Sequence, residues 1–558
     1  MDLLDSRRLT GPNLLLDRPG AVIEVSLSPE ESEAVVAAWR AQARRMLDAV
    51  GWKGEEIVAR SFPGGASLAF SAPIDGLYAA TDVNDWAWDA AGDVVAGRRE
   101  PDLAKTASLL RAEIAREANP ALVALRDAAA ERGVAFLADD RVASVGLGTG
   151  SRSWPVEALP DPREIDWGPI HDVPVLLVTG TNGKTTTVRL LAAIVDAAER
   201  MAGVTSTDRV DVGGEEIEQG DFSGPGGARL LLRDRRVEVA ILETARGGLL
   251  RRGLAVNRAD AALVTNIAAD HLGEFGVHDL PSLAAAKLVI ARAVGPDGRI
   301  VLNADDPVLV EAADEVRSPI VWFSLDPENP RLHAALASGG EAVWIEDGVL
   351  TLARGPERLA VLRAEEAPVT FGGAARHNVA NALAAIGMAA AIGVPVEAMA
   401  AGLRRVGNNP GDNPGRGNLF ERDGFRILLD YAHNPHGLSA LLDVARSIPA
   451  ERRLLVLGQA GDRDDEALRD LARAALPFEA DRIVIKELPE MLRGREPGET
   501  PAILEDELLR LGVPPERIGH AGSELEAAQQ ALAWALPGDL LILLVHVQRE
   551  AVLEVIRG

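Results

Sequence analysis

Ten consecutive residues, Val178-Thr-Gly-Thr-Asn-Gly-Lys-Thr-Thr-Thr187, have the types and spacing to hold a phosphate chain. Gly180 and Gly183 let the backbone turn tightly, so that successive N–H groups around Thr181 and Asn182 can point at one anion. An apolar run over Val173–Val178 predicts a buried strand feeding the turn. A helix expected from about Lys184 would add the partial positive charge of its N-terminus. Lys184 would reach the β- and γ-phosphates, the Thr185 hydroxyl would ligate Mg²⁺, and Thr186 follows on the same turn. The spacing is shorter than G-x-x-x-x-G-K-[ST], because Val178 stands where the first glycine would be. Strand, glycines, Lys, Thr and helix nevertheless fall in register, which implies a nucleoside triphosphate site.

Three further residues could serve a metal beside those phosphates. Glu243 ends an apolar run in Ala240-Ile-Leu-Glu243, and a carboxylate at a strand's carboxyl end faces the crevice where α/β sheets bind ligands. Magnesium takes such oxygen ligands; a solvated strand-end glutamate is the plainer alternative. His271 closes Thr265-Asn-Ile-Ala-Ala-Asp-His271, where a structural histidine is the alternative to a ligand. Lys287 lies on a helical pattern around Leu283–Ile290. Only five lysines occur (Lys53, Lys105, Lys184, Lys287 and Lys486), against 53 arginines, so a chain that favours arginine has placed primary amines at two of these positions. Tyrosine is scarcer still, present only as Tyr78 and Tyr431.

These residues need elements to carry them. The 558 residues suggest three or four domains. Residues 1–150 mix strand patterns (Ala21–Ser26, Ser67–Ser71) with helical ones (Ser28–Val50, Asp102–Arg132), an α+β domain with no catalytic constellation. Residues 151–171, rich in Pro, Asp and Gly, read as a linker. From 172 to 408, strand-length runs at Val173–Val178, Val237–Leu242, Ala261–Val264 and Arg299–Leu302 alternate with helices, the pattern of a parallel α/β sheet. A break at Arg405–Gly417 precedes a second α/β series over 409–558, with runs at Ile427–Asp430, Leu454–Gly458, Arg482–Ile485 and Leu540–Val545.

Composition narrows the function classes. The balance of 58 basic and 84 acidic residues, −26, argues against nucleic acid, whose phosphates need a basic face. The absence of cysteine excludes thiol catalysis, disulfides and thiolate metal sites. The longest strongly apolar run, near Leu540–Val547, is far short of the roughly 20 residues that span a bilayer, and the N-terminus lacks a secretory pattern. A cytoplasmic protein without a membrane partner is expected.

Thr179-Gly-Thr-Asn-Gly-Lys-Thr-Thr186 resembles the phosphate loop of the Mur ligase superfamily, whose members join a carboxylate to an amine using ATP, through an acyl phosphate. The resemblance implies an α/β architecture: an N-terminal α+β domain, a central P-loop parallel-sheet ATPase domain and a C-terminal Rossmann-like α/β domain. It implies that Glu243 binds magnesium, that His271 contacts a second magnesium, and that Lys287 is carbamylated to a carboxylate-like metal ligand. Asn303-Ala-Asp-Asp-Pro307 matches the superfamily's N-x-D-D-P turn, expected to cap a helix. In Arg376-His-Asn-Val-Ala-Asn381, Asn378 would contact adenine, with a helix-start asparagine as the alternative. Gly415-Arg416 resembles the family's G-R pair, and in Leu429-Asp-Tyr-Ala-His-Asn-Pro435 Asp430 would hold ribose and His433 would lie near the phosphates. Gly458-Gln-Ala-Gly-Asp-Arg-Asp464 follows the next strand as the family's G-x-x-G-D-R-D loop does.

Within the superfamily the cyanophycin-synthetase branch is most similar, through Glu243–Gly253, Leu492–Glu499, Arg8–Asn13 and Val145–Gly150. That branch carries an ATP-grasp domain between its N-terminal domain and its Mur half, whereas here about thirty residues separate Gly150 from the phosphate loop. One amide-forming centre is expected, with ATP and Mg²⁺, and a separate ATP-grasp enzyme would prepare the carboxylate. Arg493, Arg495 and Glu499 would grip the incoming amino acid, since arginine binds carboxylate bidentately; a solvated surface loop is the alternative. Relatives' N-terminal domains take part in assembly or substrate docking, so a homo-oligomer is expected. A P-loop kinase or NTPase, and a catalytically silent ligase-like module, remain as other classes.

Overall fold

The computed structural model describes every residue of 1–558 except His271. At the N-terminus, Asp2–Leu9, Gly20–Ser26, Gly65–Ser71 and Ile57–Phe62 form an antiparallel sheet in that spatial order. Helices Pro29–Val50 and Leu77–Val95 pack over it, burying Trp39, Met46 and Leu47 at helical spacing. Inside this core Trp39 Nε1 donates to Asn84 Oδ1 at 2.9 Å, satisfying a polar atom that would otherwise be costly to bury. The single helix expected over Asp102–Arg132 is two, Leu103–Glu117 and Pro120–Glu131. Pro120 cannot supply an interior N–H, and Asn119 Oδ1 caps the second helix by accepting from Leu122 N at 3.0 Å.

Residues 151–171 are not free chain. Arg152–Pro155 pairs antiparallel with Val142–Val145, and Ile165 and Ile170 pack with Leu122, Leu125 and Val145. Four prolines break the pattern of this stretch and mask its apolar residues, among them Trp154, Leu159 and Trp167, which pack on the same cluster.

The central sheet has eleven strands among the described residues. Seven run parallel, in the order Ala202–Thr205, Val239–Glu243, Val175–Thr179, Ala259–Val264, Val294–Asn303, Ile320–Ser324 and Glu341–Glu346. Antiparallel pairs close each edge. Helices Lys184–Ala197, Arg376–Ala391 and Val396–Arg405 cover one face. Val175, Leu176, Leu177 and Val178 are at most 2% exposed, and each such side chain contributes about 1.5–3 kcal/mol. The strand that delivers the phosphate loop is therefore fixed by hydrophobic burial together with parallel pairing to a strand on each side. Its two sheet neighbours end in Glu243 and Val264, so adjacent strand ends bring Gly180, Glu243 and Thr265 together.

The C-terminal sheet orders Asn418–Arg422, Phe425–Asp430, Leu540–Leu544, Arg453–Leu457, Arg482–Lys486 and Ile518–Ala521. The first pair is antiparallel and the rest parallel. Among the described residues, no helix is long and apolar enough to cross a membrane.

Candidate active site

The loop after Val175–Thr179 depends on its glycines. Gly180 has φ +142°, and a Cβ there would lie 1.9 Å from Thr265 Oγ1; Gly183 has φ +87°, and its Cβ would lie 2.2 Å from Asn381 Oδ1. Neighbouring backbone and side chains hold the rest. Thr181 N donates to Asn266 O at 2.9 Å, Asn182 N to Asn266 Oδ1 at 3.0 Å, and Thr265 Oγ1 to Asn182 O at 2.6 Å. Helix Lys184–Ala197 starts at the loop's last glycine and directs its N-terminus into the cleft.

Two lysines converge here. Lys184 Nζ donates to Gly180 O at 3.1 Å and to Thr181 O at 2.9 Å, while Lys287 Nζ donates to Gly180 O at 2.8 Å. Burial, then the nearby Lys184 charge, holds the Lys287 ammonium well below its ordinary pKa, with Asp270 opposing. Thr185 Oγ1 donates to Glu243 Oε2 at 2.9 Å. Glu243 is 2% exposed, and burial raises its pKa against the pull of Lys184 and Thr185. Its Oε1 is buried and, among the described residues, has no hydrogen-bond partner. A buried, unsatisfied carboxylate oxygen beside a threonine hydroxyl fits a hard divalent cation. No cluster of three or more His, Asp or Glu forms a protein cage among the described residues, and Mg²⁺ requires none when phosphates complete its shell. His271 lies outside the described residues.

The C-terminal domain closes the other side of a cleft of about 340 Å³. Asn182 and Asn434 exchange amide hydrogen bonds, Nδ2 to Oδ1, at 3.2 and 3.0 Å, and Asn182 Nδ2 lies 2.9 Å from His436 Nδ1. Asn434 Oδ1 also caps helix Pro435–Ser447, accepting from Gly437 N at 2.8 Å. Asp430 accepts from Gly417 N and Ala432 N, both at 2.7 Å; burial raises its pKa while Arg416 opposes. Arg416 stacks on Tyr431 at 4.2 Å from the ring centroid, which gives that rare tyrosine a function in the loop. His433 Nε2 lies 3.5 Å from Asp270 Oδ2, and Arg463 Nη2 lies 3.2 Å from Asp270 Oδ1, so an imidazole and a guanidinium of the C-terminal domain meet one central carboxylate.

Asn378 lines the cleft, with its Nδ2 donated to Val369 O at 2.8 Å and its Oδ1 accepting from Asn381. Asp306 caps helix Pro307–Ala312 as the N-x-D-D-P turn suggests, and its second oxygen takes Ile267 N at 2.6 Å. Phe323, Leu325 and Leu441 supply apolar walls beside Asn378. Sequence reasoning missed these, along with Asn434, His436, Asp270 and Arg463 as partners across the cleft. It also missed Arg246, which pairs with Glu274 at 2.5 Å and keeps a buried Nη1 without an acceptor among the described residues. Arg246 and Asp270 stood inside segments already singled out, at strand ends, and that was the available signal.

The loop Leu492–Glu499 stands behind this front. Arg495 donates to Gly461 O (3.0 Å), Arg463 O (2.7 Å), Asp465 (2.8 Å) and Glu499 (2.5 Å). Arg495 and Glu499, expected to face a substrate, bind each other here, and Arg495 braces the loop that carries Arg463. Arg493, 45% exposed, is paired with Asp462.

Known proteins were compared with this geometry. The Mur ligase middle domain profile matches residues 178–389, and the Mur ligase, glutamate ligase domain profile matches 415–544. The chain is 30% identical over 380 residues to the UDP-N-acetylmuramoyl-L-alanyl-D-glutamate–2,6-diaminopimelate ligase of Gloeobacter violaceus, covering 66% of this chain and 70% of that protein. It belongs to the Mur ligase family. It is also 42% identical over 338 residues to the cyanophycin synthetase of Synechocystis sp., covering 61% of this chain but 38% of that protein. The chain thus spans well under half the length of that relative. Among solved structures, Escherichia coli FolC in complex with DHPP and ADP superposes with a TM-score of 0.51 at 23% identity, over 69% of this chain and 88% of that one. MurF from Acinetobacter baumannii gives 0.50 at 20% identity, over 69% and 77%. These two likenesses establish the shared Mur ligase fold.

Proposed function

We propose that this chain is an ATP-dependent ligase that joins an amino-acid amine to the carboxylate of an acidic amino acid or peptide through an acyl phosphate. The observation that carries the reading is the two-sided cleft, in which Asn434 of the C-terminal domain meets Asn182 of the phosphate loop while His433 and Arg463 meet Asp270 of the central domain. A kinase or simple NTPase needs the loop but not this second wall.

The phosphates of ATP would lie along the loop N–H groups, with Lys184 neutralising their charge and Arg246 and Arg463 adding positive potential nearby. Asn378 would face adenine between Phe323 and Leu441, and Asp430 would take ribose beside Arg416. Thr185 and Glu243 would hold Mg²⁺, with His271 and Lys287 as further ligands, Lys287 as its carbamate. Bound there, the ion supplies charge neutralisation for the moving phosphoryl group. The bond from the γ-phosphorus to ADP breaks as a bond to the substrate carboxylate oxygen forms. The amine nitrogen then attacks the acyl carbon, and phosphate leaves with that oxygen. Closure of the two walls excludes water from the acyl phosphate. Arg493 is the residue of its loop with room to receive the amino acid's carboxylate. The reading extends to a cytoplasmic homo-oligomer supplied with its carboxylate by a separate ATP-grasp enzyme.

The test combines purified protein, ATP, Mg²⁺ and small molecules extracted from the native cell. Amine-dependent phosphate release with a new amide mass supports the ligase. ADP without an amide would indicate a kinase or NTPase, and no turnover would indicate a binding module.

A further inference from the structure

A second cavity, about 520 Å³, lies where the N-terminal region meets the central domain, and it shares no lining residue with the nucleotide cleft. Its walls are apolar at Ile74, Leu122, Phe136 and Val256. Arg229, on helix Pro225–Leu232, faces it from the central domain. Only 9% of Arg229 is exposed, yet among the described residues it makes one hydrogen bond, Nη2 to Thr10 Oγ1 at 2.8 Å, and no salt bridge. Burial holds its pKa below the ordinary value; Arg233 and Arg252 press the same way, while Asp139 and Asp140 oppose.

The acids around the cavity all have partners within the chain, though not all of these are cations: Asp17 pairs with Arg292, and Asp75 accepts from Asn119 N. Asp140 accepts from Tyr78 Oη at 2.8 Å and from Arg8 at 3.1 Å; Asp139 takes Arg233 at 2.5 Å. Glu117 caps helix Leu77–Val95 by accepting from Tyr78 N and Ala79 N, both at 2.9 Å. What remains is one buried guanidinium with donors to spare, a charge that is unfavourable to bury without an anion.

We infer that this cavity binds a ligand bearing one carboxylate on an apolar stem, with Arg229 gripping the carboxylate and the apolar walls holding the stem. Arginine matches carboxylate geometry with two parallel N–H donors. The guanidinium keeps N–H donors that no described residue takes, and Asp139 and Asp140, close enough to act on Arg229, favour a monoanion there over a phosphate dianion. The site is independent of the ligase reading, because neither its residues nor its charge balance involves the phosphate loop.

The experiment is calorimetric titration of the full chain with N-acetyl-valine and N-acetyl-phenylalanine, their carboxamides, and inorganic phosphate. At least one carboxylate should saturate a single site about tenfold or more tighter than its carboxamide. Arg229→Met should remove that preference while ADP binds within about twofold of wild type, and the unliganded variant should melt no lower than wild type because an unpaired ion has gone. Arg229→Lys, which keeps the charge but loses the fork, should bind between the two. The inference is overturned if carboxylates and carboxamides bind alike, if Arg229→Met retains the preference, or if phosphate binds as tightly as the carboxylates. Unfolding of Arg229→Met would overturn it too, by showing that the guanidinium is a structural partner.

Discussion

Glu243 and Arg495 both sit in motifs dense with charge, and their surroundings differ in one respect. Glu243 is buried with an oxygen that no described residue satisfies, whereas Arg495 has four acceptors, every one supplied by this chain. The first arrangement leaves a carboxylate oxygen open, as the proposed Mg²⁺ site requires; the second is complete and holds two loops together. Residue type alone did not separate them, since arginine and glutamate near a substrate site look the same in sequence. The distinction lies in whether the protein itself satisfies the group.

The largest effect expected on the cleft side is at Lys184. Lys184→Ala should lower kcat by about 10³ or more in a phosphate-release assay, the scale of losing a key charge-stabilising donor; full activity would remove the phosphate-loop assignment. Glu243→Gln should lower turnover by about 10² and raise the Mg²⁺ needed for half-maximal rate. Because burial raises the Glu243 pKa, the same variant should melt higher than wild type without ligand at neutral pH. Catalytic loss together with a stability gain is the signature of an incomplete site, and a lower melting temperature would break the contrast with Arg495.

His377, also lining the cleft, extends the comparison to pH. Burial depresses its pKa to about 4. In the unfolded chain it titrates near 6.5, so below that pH the unfolded state binds the proton first. Its contribution is fully present above about pH 6.5 and is lost as pH falls towards 4, a change of roughly 3 kcal/mol. Denaturant titrations at pH 7 and pH 4.5 should show a shallower acid loss in His377→Gln. On the complete side, Arg495→Ala should cost about 1–3 kcal/mol of stability through four lost acceptor contacts. Its KM for the amine substrate should stay within about threefold. A rise in that KM of about 10² or more would place Arg495 on the substrate and dissolve the distinction.

Sequence carried a good deal of this. The strand–glycine–lysine register of 175–187, the family resemblance and the α/β layout were legible because each rests on residues close together in the chain. Glu243 could be singled out because a strand's carboxyl end is a definite place in a parallel sheet. The contacts across the cleft were not legible: Asn182 and Asn434 lie 252 residues apart, each inside a recognisable motif, but nothing in the sequence pairs the two motifs. Helix Leu77–Val95 went unseen because its buried face is rich in alanine and carries Asn84 and Gly92, and the fold of residues 151–171 lay behind their prolines. Arg495 was legible as a charge beside a site, but its saturation depends on Gly461 and Arg463 carbonyls that only the folded loop aligns.

The central claim is transfer of phosphoryl to a carboxylate in the incomplete cleft. The most direct test supplies the protein with ATP, Mg²⁺, an amine pool and carboxylate substrates labelled with ¹⁸O, and then measures the released phosphate by mass spectrometry. Ligation through an acyl phosphate predicts one ¹⁸O in each phosphate released, in step with amide formation and absent in Lys184→Ala. Unlabelled phosphate accompanying ADP formation would contradict it.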